Sequence, residues 1–167
     1  MTTRSAKQAF LDTYDTEHAT TMKVLRAYPA DRLDLRPHPK CRTARELAWV
    51  FVLERGLGTM VFHDEFPEKA TGRMPEPPES WDALLQAVEK SSADFRALVA
   101  STPEQELDRK VRFFVAPKQV GKYSRMEWLW FLLHDEIHHR GQLSIYLRMA
   151  DAKVPSIYGP TADEEWM

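Results

Sequence analysis

The stretch SRMEWLWFLLHDEIHHRGQLSIYLRMA, residues 124–150, places ionisable side chains inside one of the most apolar parts of the chain. Residues 134–142 alone contain three histidines and two carboxylates, and they lie between WLWFLL and LSIYLRM. Ser124 followed by Glu127 forms a capping box, which is typical of a helix N-terminus. The sequence therefore predicts one long helix from this box to about Ala150, with a polar group set into an apolar helix.

Three further helical patterns precede this helix. The first covers about residues 5–28, where apolar residues recur at spacings of three or four. The second covers about residues 44–62 after a capping box at Thr43, and the third follows the N-cap Ser80 and runs over residues 81–100. Four helices of this length, one of them apolar nearly all round, predict an all-α fold, namely a four-helix bundle.

The segments between the helices lack helical periodicity. Residues 66–80 form a proline-rich loop, and residues 109–123 form either a two-stranded ribbon or an extended crossover. The bundle is thus expected to have a long crossover connection before its last helix. The tail from residue 153, with two prolines and a glycine, is expected to be extended. A length of 167 residues fits a single domain over residues 1–167.

Composition excludes several classes of partner. The chain has 23 Lys and Arg against 25 Asp and Glu, a net charge of −2, so we expect no binding to nucleic acid. Its most apolar runs are far shorter than the roughly 20 residues that span a bilayer, so we expect no membrane insertion. Cys41 is the only cysteine, and the N-terminus lacks the apolar run of a signal peptide, which favours a cytoplasmic location.

The polar residues of the last helix fall into two sets on a helical wheel. Asp135, His139 and Gln142 share an arc with apolar residues, which are Trp128, Leu132, Leu143, Tyr146 and Met149. His134 and His138 form a second pair with the same spacing on a rotated arc. Side chains four positions apart point the same way, so either pair could bind one metal ion. Glu54, on the second helix, is a candidate for the same site.

A structural interpretation competes with the metal site. Asp135 could hold His139 or an arginine in a hydrogen-bond network, because an unpaired carboxylate among aromatic side chains is costly. His134 and His138 could be exposed or lie at a subunit interface. His18, on the apolar stripe of the first helix, is more simply a buried core residue than a ligand.

Two segments resemble a known family. HDEIHHRGQLSIYLRM (134–149) followed by KVPSIYG (153–159) resembles the last helix and tail of the DinB-like family of bacterial four-helix proteins. RPHPKCRTARELAWVFVLE (36–54) resembles that family's approach to the second helix.

The resemblance implies a metal site with one histidine on the second helix and two on the fourth, in the pattern HxxxHRGQ. On this sequence the last ligand is His139, the one before it falls on Asp135, and the helix-two ligand falls on Val50, which cannot coordinate. Glu54, one turn beyond Val50, is the predicted replacement, as a third ligand or as a catalytic base. A site of one histidine and two carboxylates suits a divalent ion such as Zn, Ni, Mn or Fe.

The resemblance also implies a homodimer and an activity on small molecules. Characterised relatives include thiol transferases that use small bacterial thiols. The sequence therefore predicts a metal-dependent enzyme of the thiol-transferase or hydrolase type with an altered metal site. The alternative is a metal-free binding or stress-response bundle that has lost catalysis, and His134 and His18 remain alternative ligands.

Overall fold

The computed structural model describes residues 4–66 and 74–167 as four long helices with a short sheet before the last one. The helices are α1 (Ala6–Arg26), α2 (Ala44–Phe62), α3 (Trp81–Ser101) and α4 (Arg125–Met149); a 3₁₀ turn (Glu104–Asp108) and strands β1 (Lys110–Ala116) and β2 (Gln119–Ser124) lie between α3 and α4. The predicted all-α class and its four helices are confirmed. Residues 67–73 of the predicted proline-rich loop lie outside the described residues.

The helix starts follow from the capping residues in the sequence. The Thr43 hydroxyl accepts from the Glu46 backbone N–H at 3.2 Å, and Glu46 accepts from the Thr43 N–H at 2.7 Å. Ser124 and Glu127 make the same reciprocal pair at the start of α4. Because each box satisfies two backbone donors that the first turn leaves unpaired, both helices begin at the predicted residues.

The connection before α4 is a β-hairpin. Strands β1 and β2 pair antiparallel from Lys110↔Ser124 to Ala116↔Gln119, which confirms the ribbon rather than the extended crossover. The Phe113 ring lies 4.3 Å from the Trp128 ring, centroid to centroid, so the hairpin is held against the first turn of α4.

The four helices pack in a ring in which α1 and α2 each contact both α3 and α4. The buried apolar side chains form two clusters. One contains Leu25, Phe51 and Leu147, and the other contains Phe62 and Leu129. Three buried polar residues, Thr43, Thr102 and Arg125, lie at helix ends. The others lie at intermediate positions along the helices, and they are Glu17, Thr21, Glu54, Arg55, Ser92, Glu136 and Arg140. A polar layer therefore separates two apolar halves of the core.

No helix in the described part of the chain combines the length and the apolar character that a bilayer crossing requires.

Two glycines of α2 provide a matched test of the packing. A Cβ at Gly58 would lie 2.7 Å from Leu132 Cδ2 and 3.0 Å from the Phe95 ring, whereas a Cβ at Gly56 would meet nothing within 4 Å. Alanine gains up to about 1 kcal/mol in helix propensity, but overpacking costs about 1–3 kcal/mol. We expect Gly56→Ala to raise the free energy of unfolding in urea and Gly58→Ala to lower it. An equal gain in both variants would show that α2 and α4 do not approach closely at Gly58.

Candidate metal centre

Three side chains from two helices converge in the groove between α2 and α4. Glu54 comes from α2, and Asp135 and His139 come from successive turns of α4. His139 Nε2 lies 3.3 Å from Glu54 Oε1 and 3.7 Å from Asp135 Oδ1. One ligand atom from each residue lies within 4.8 Å of the other two, so the three could hold one metal ion.

Glu54 forms the buried wall of this group. Its side chain is 7% exposed, compared with 14% for His139 and 41% for Asp135. Neither Glu54 oxygen accepts from a fixed N–H or O–H donor within the described residues, and a protonated Glu54 would share a hydrogen bond with the Asp135 carboxylate. Burial raises the pKa of the Glu54 carboxyl to about 9, the Arg55 charge opposes the rise, and Asp135 adds to it. A buried carboxylate without a donor is costly unless it is protonated or binds a cation.

The residue that follows each member of the group points the other way, into the polar layer. Arg55, Glu136 and Arg140 are each at most 2% exposed. Arg55 forms an ion pair with Glu136 and donates from Nε to the Tyr14 hydroxyl at 2.8 Å. Because successive residues on a helix are rotated by about 100°, one of each pair faces the groove and the next faces the core.

The polar layer extends from Glu136 to α1 and the tail. The Thr21 hydroxyl donates to Glu136 Oε1 at 2.7 Å, and Arg140 donates to the backbone carbonyl of Glu17 at 3.0 Å. Arg140 also pairs with the Glu17 carboxylate at 2.7 Å, and the Tyr158 hydroxyl donates to that carboxylate at 2.7 Å. The helices that carry Glu54, Asp135 and His139 are thus fixed by charged contacts directly behind the groove.

The helical wheel was wrong about which polar residues of α4 are innermost. Glu136 and Arg140 are 0% and 1% exposed, whereas Asp135 is partly exposed and Met149, expected on the buried arc, is 43% exposed. The physical reason is that α4 has apolar residues on nearly every side, so its apolar stripe does not indicate which side of the helix is buried. The true inward polar pair is offset by one residue from the predicted one.

Among the described residues, neither His18 nor His134 belongs to the metal-binding group. His18 is partly buried and its ring stacks on Tyr14, but its Nδ1 has no hydrogen-bond partner within the described residues, so it is not the satisfied core residue of the structural alternative. His134 and His138 are exposed on α4. Val50 is a buried residue one turn before Glu54 on α2.

Sequence reasoning missed the partnership of Arg55, Glu136 and Glu17. A signal was present, because Glu54 and Arg55 are consecutive charges within the apolar helix α2. Consecutive residues differ in direction by about 100°, so in a helix with apolar side chains on most sides at least one of the two charges was a candidate to face inward, where it needs a partner. Fold and site together define a four-helix bundle with a candidate centre of two carboxylates and one histidine between two helices.

Comparison with known proteins gives the family. The DinB family model matches residues 1–166, so the chain belongs to the DinB family. The chain is 27% identical over 158 residues to the uncharacterized protein YrdA of Bacillus subtilis strain 168. The aligned region covers 94% of this chain and 90% of YrdA.

Solved structures support the same fold. A DinB-like protein from Bacillus cereus matches with a TM-score of 0.72 at 22% identity, over 89% of this chain and 95% of that one. The DinB-like protein YjoA of Bacillus subtilis matches with a TM-score of 0.69 at 17% identity, over 95% and 99%. A conserved protein from Enterococcus faecalis matches with a TM-score of 0.60 at 18% identity, over 86% and 95%.

The raised pKa of Glu54 predicts a pH-dependent stability. The unfolded chain loses this proton near the ordinary value of 4.5, but the folded chain retains it to about 9. Between these values the folded state binds more protons, so the free energy of unfolding falls as pH rises, by up to about 1.4 kcal/mol per pH unit. We expect metal-free protein to lose stability in urea from about pH 6 to about pH 8, and Glu54→Gln to lose less. The exposed control Glu65→Gln should follow the wild type, and a parallel fall in Glu54→Gln would contradict the raised pKa.

Removal of Glu136 tests the polar layer. Glu136→Ala leaves the buried Arg55 guanidinium without its carboxylate, and we expect a loss of about 3–5 kcal/mol in the free energy of unfolding. The control is Glu89→Ala, which removes a pair that Glu89 makes with Arg26 on the exposed surface. That change should cost at most about 1 kcal/mol. Similar losses in the two variants would mean that the layer contributes no more than a surface pair.

Proposed function

We propose that this protein is a divalent-metal-dependent enzyme that acts on a small molecule by thiol transfer or hydrolysis. Glu54, Asp135 and His139 are its proposed metal ligands. The observation that carries the proposal is the Glu54 carboxyl, buried without a donor and 3.3 Å from His139 Nε2. A cation bound to the three side chains would compensate the burial of that carboxylate.

The chemistry of the three ligand atoms restricts which metal ions the site would bind. Two carboxylate oxygens and one imidazole nitrogen suit first-row divalent ions, including Zn, Mn, Fe and Ni, better than soft ions that prefer thiolates. Three protein ligands leave coordination positions open, which is typical of catalytic rather than structural sites. When bound, such an ion lowers the pKa of a thiol or water in an open position and so supplies a nucleophile at neutral pH.

Asp135 and Glu54 differ in exposure and in protonation, so we assign them different roles at the site. Asp135, with 41% of its side chain exposed, lies on the side of the site that a small substrate would reach from solvent. Glu54, with a pKa of about 9 without a cation, holds a proton at neutral pH and cannot act as a base in that state. The ligand role for Glu54 is supported by geometry, because its Oε1 lies 3.3 Å from His139 Nε2. Loss of its proton then accompanies metal binding.

A metal-free binding protein is the second candidate function. Two observations favour it: Val50 occupies the position of the expected helix-two histidine, and the raised pKa keeps the Glu54 carboxyl neutral without any cation. Under this alternative the groove would bind a small ligand without reacting with it. The two proposals differ in whether a metal ion binds stoichiometrically.

Metal analysis of untagged protein decides between the two proposals. We expect about one first-row divalent ion per chain by mass spectrometry, and a stabilisation of metal-free protein by about 2.7 kcal/mol when the ion is added at about 100 times its Kd. Glu54→Gln and His139→Asn should weaken this effect, whereas the exposed controls Glu65→Gln and His134→Asn should not. Absence of both bound metal and stabilisation with Zn, Mn, Fe and Ni would rule out the metal-dependent enzyme. Loaded protein would then be assayed for transfer of small thiols to a chromogenic electrophile and for ester hydrolysis.

The homodimer that the resemblance implies stays a proposal. Apolar side chains on the outer side of α4 support it, since Phe131, Ile145 and Met149 are 40%, 59% and 43% exposed. Such side chains on one helix are a typical contribution to an interface between subunits. Sedimentation equilibrium would measure the mass in solution.

A further inference from the structure

Gln142 lies beside the proposed metal site but contributes no ligand atom to it. Its Oε1 lies 3.0 Å from His139 Nδ1, and its Nε2 lies 3.0 Å from His138 Nε2. The spacings of three and four residues along α4 bring the one amide next to both imidazoles. The HHRGQ segment thus encodes a short chain of hydrogen bonds from an exposed histidine to the candidate ligand.

The orientation of the Gln142 amide, with its oxygen towards His139 and its nitrogen towards His138, sets the direction of this chain. A carboxamide oxygen only accepts hydrogen bonds and a carboxamide nitrogen only donates them. The oxygen of Gln142 therefore accepts from an Nδ1–H of His139, and its nitrogen donates to the lone pair on His138 Nε2. In neutral His139 the proton lies on Nδ1, which leaves a lone pair on Nε2.

That lone pair is directed at the groove. His139 Nε2 is the nitrogen that lies 3.3 Å from Glu54 Oε1 and 3.7 Å from Asp135 Oδ1. With the opposite tautomer, Nε2 would carry a hydrogen and could not bind a metal ion. A neutral His138 accepts or donates at Nε2 according to its own tautomer, so His138 fits either orientation of the amide. A metal ion on His139 Nε2 is compatible with one orientation alone, in which the Gln142 oxygen faces the Nδ1–H.

We propose that Gln142 is the positioning residue that holds His139 in the tautomer and ring orientation of a metal ligand. The inference rests on the proposed metal-binding function. Both bonds stay within α4 and join no second helix, so they contribute to folding only the small amount of a side-chain pair within one helix. Hydrogen bonds of this kind to a ligand imidazole change metal affinity by about 10–100-fold.

The tautomer is measured first, by nitrogen-15 NMR of metal-free protein at about pH 8, where an ordinary imidazole is neutral. We expect the Nδ1–H form of His139 in wild type and a mixture of tautomers in Gln142→Leu, which lacks the acceptor. Gln142→Glu keeps an acceptor oxygen and should restore the Nδ1–H form. The exposed control His134→Ala should match wild type.

Metal affinity is measured next, by titration of Mn²⁺ and Zn²⁺ into the same variants. We expect Gln142→Leu to weaken binding by about 10–100-fold and Gln142→Glu to bind more tightly than Gln142→Leu. A Gln142→Leu protein with the wild-type tautomer, or with a Kd within about twofold of wild type, would overturn the inference. If wild type binds no metal and Gln142→Leu still changes the tautomer, the metal-dependent function fails while the control of His139 by Gln142 stands.

Discussion

The ion pair between Arg55 and Glu136 is the interaction on which the site depends most. Both side chains are almost fully buried at the middle of the bundle, where α2 faces α4. Such a pair adds little net stability over an apolar pair of the same size, but losing one partner costs several kcal/mol. It therefore penalises any slip of α2 along α4, because a slip of one turn would separate the two charges.

Three adjacent residue pairs connect this constraint to the groove. Glu54 and Arg55, Asp135 and Glu136, and His139 and Arg140 each place one side chain in the groove and the next in the polar layer. The contacts of the three residues in the polar layer thus set the distances among the three residues in the groove. A site built on rigid helices with locked neighbours needs little reorganisation to bind a small ion.

Glu54 gives the candidate site a different set of ligand atoms from the three-histidine pattern that the family resemblance implies. Val50 leaves the earlier turn of α2 apolar, and the nearest candidate ligand atom on α2 belongs to Glu54. A carboxyl group there makes the site richer in oxygen, and its burial couples metal binding to loss of a proton. Gln142 acts on the opposite side of His139, at the other ring nitrogen.

The sequence by itself determined the four helices, because capping boxes at Thr43 and Ser124 and helical periodicity are local signals. Asp135 and His139 could be paired from their spacing, since four residues along a helix is a local distance. Glu54 was a candidate as a carboxylate on the second helix, and the family resemblance supplied its place beside Asp135 and His139. Tertiary structure decided that Glu136 and Arg140 face inward, because α4 is apolar on nearly every side and only its neighbours define which face is buried. The pairing of Arg55 with Glu136 likewise joins residues far apart in the chain, and only packing of α2 against α4 brings them together.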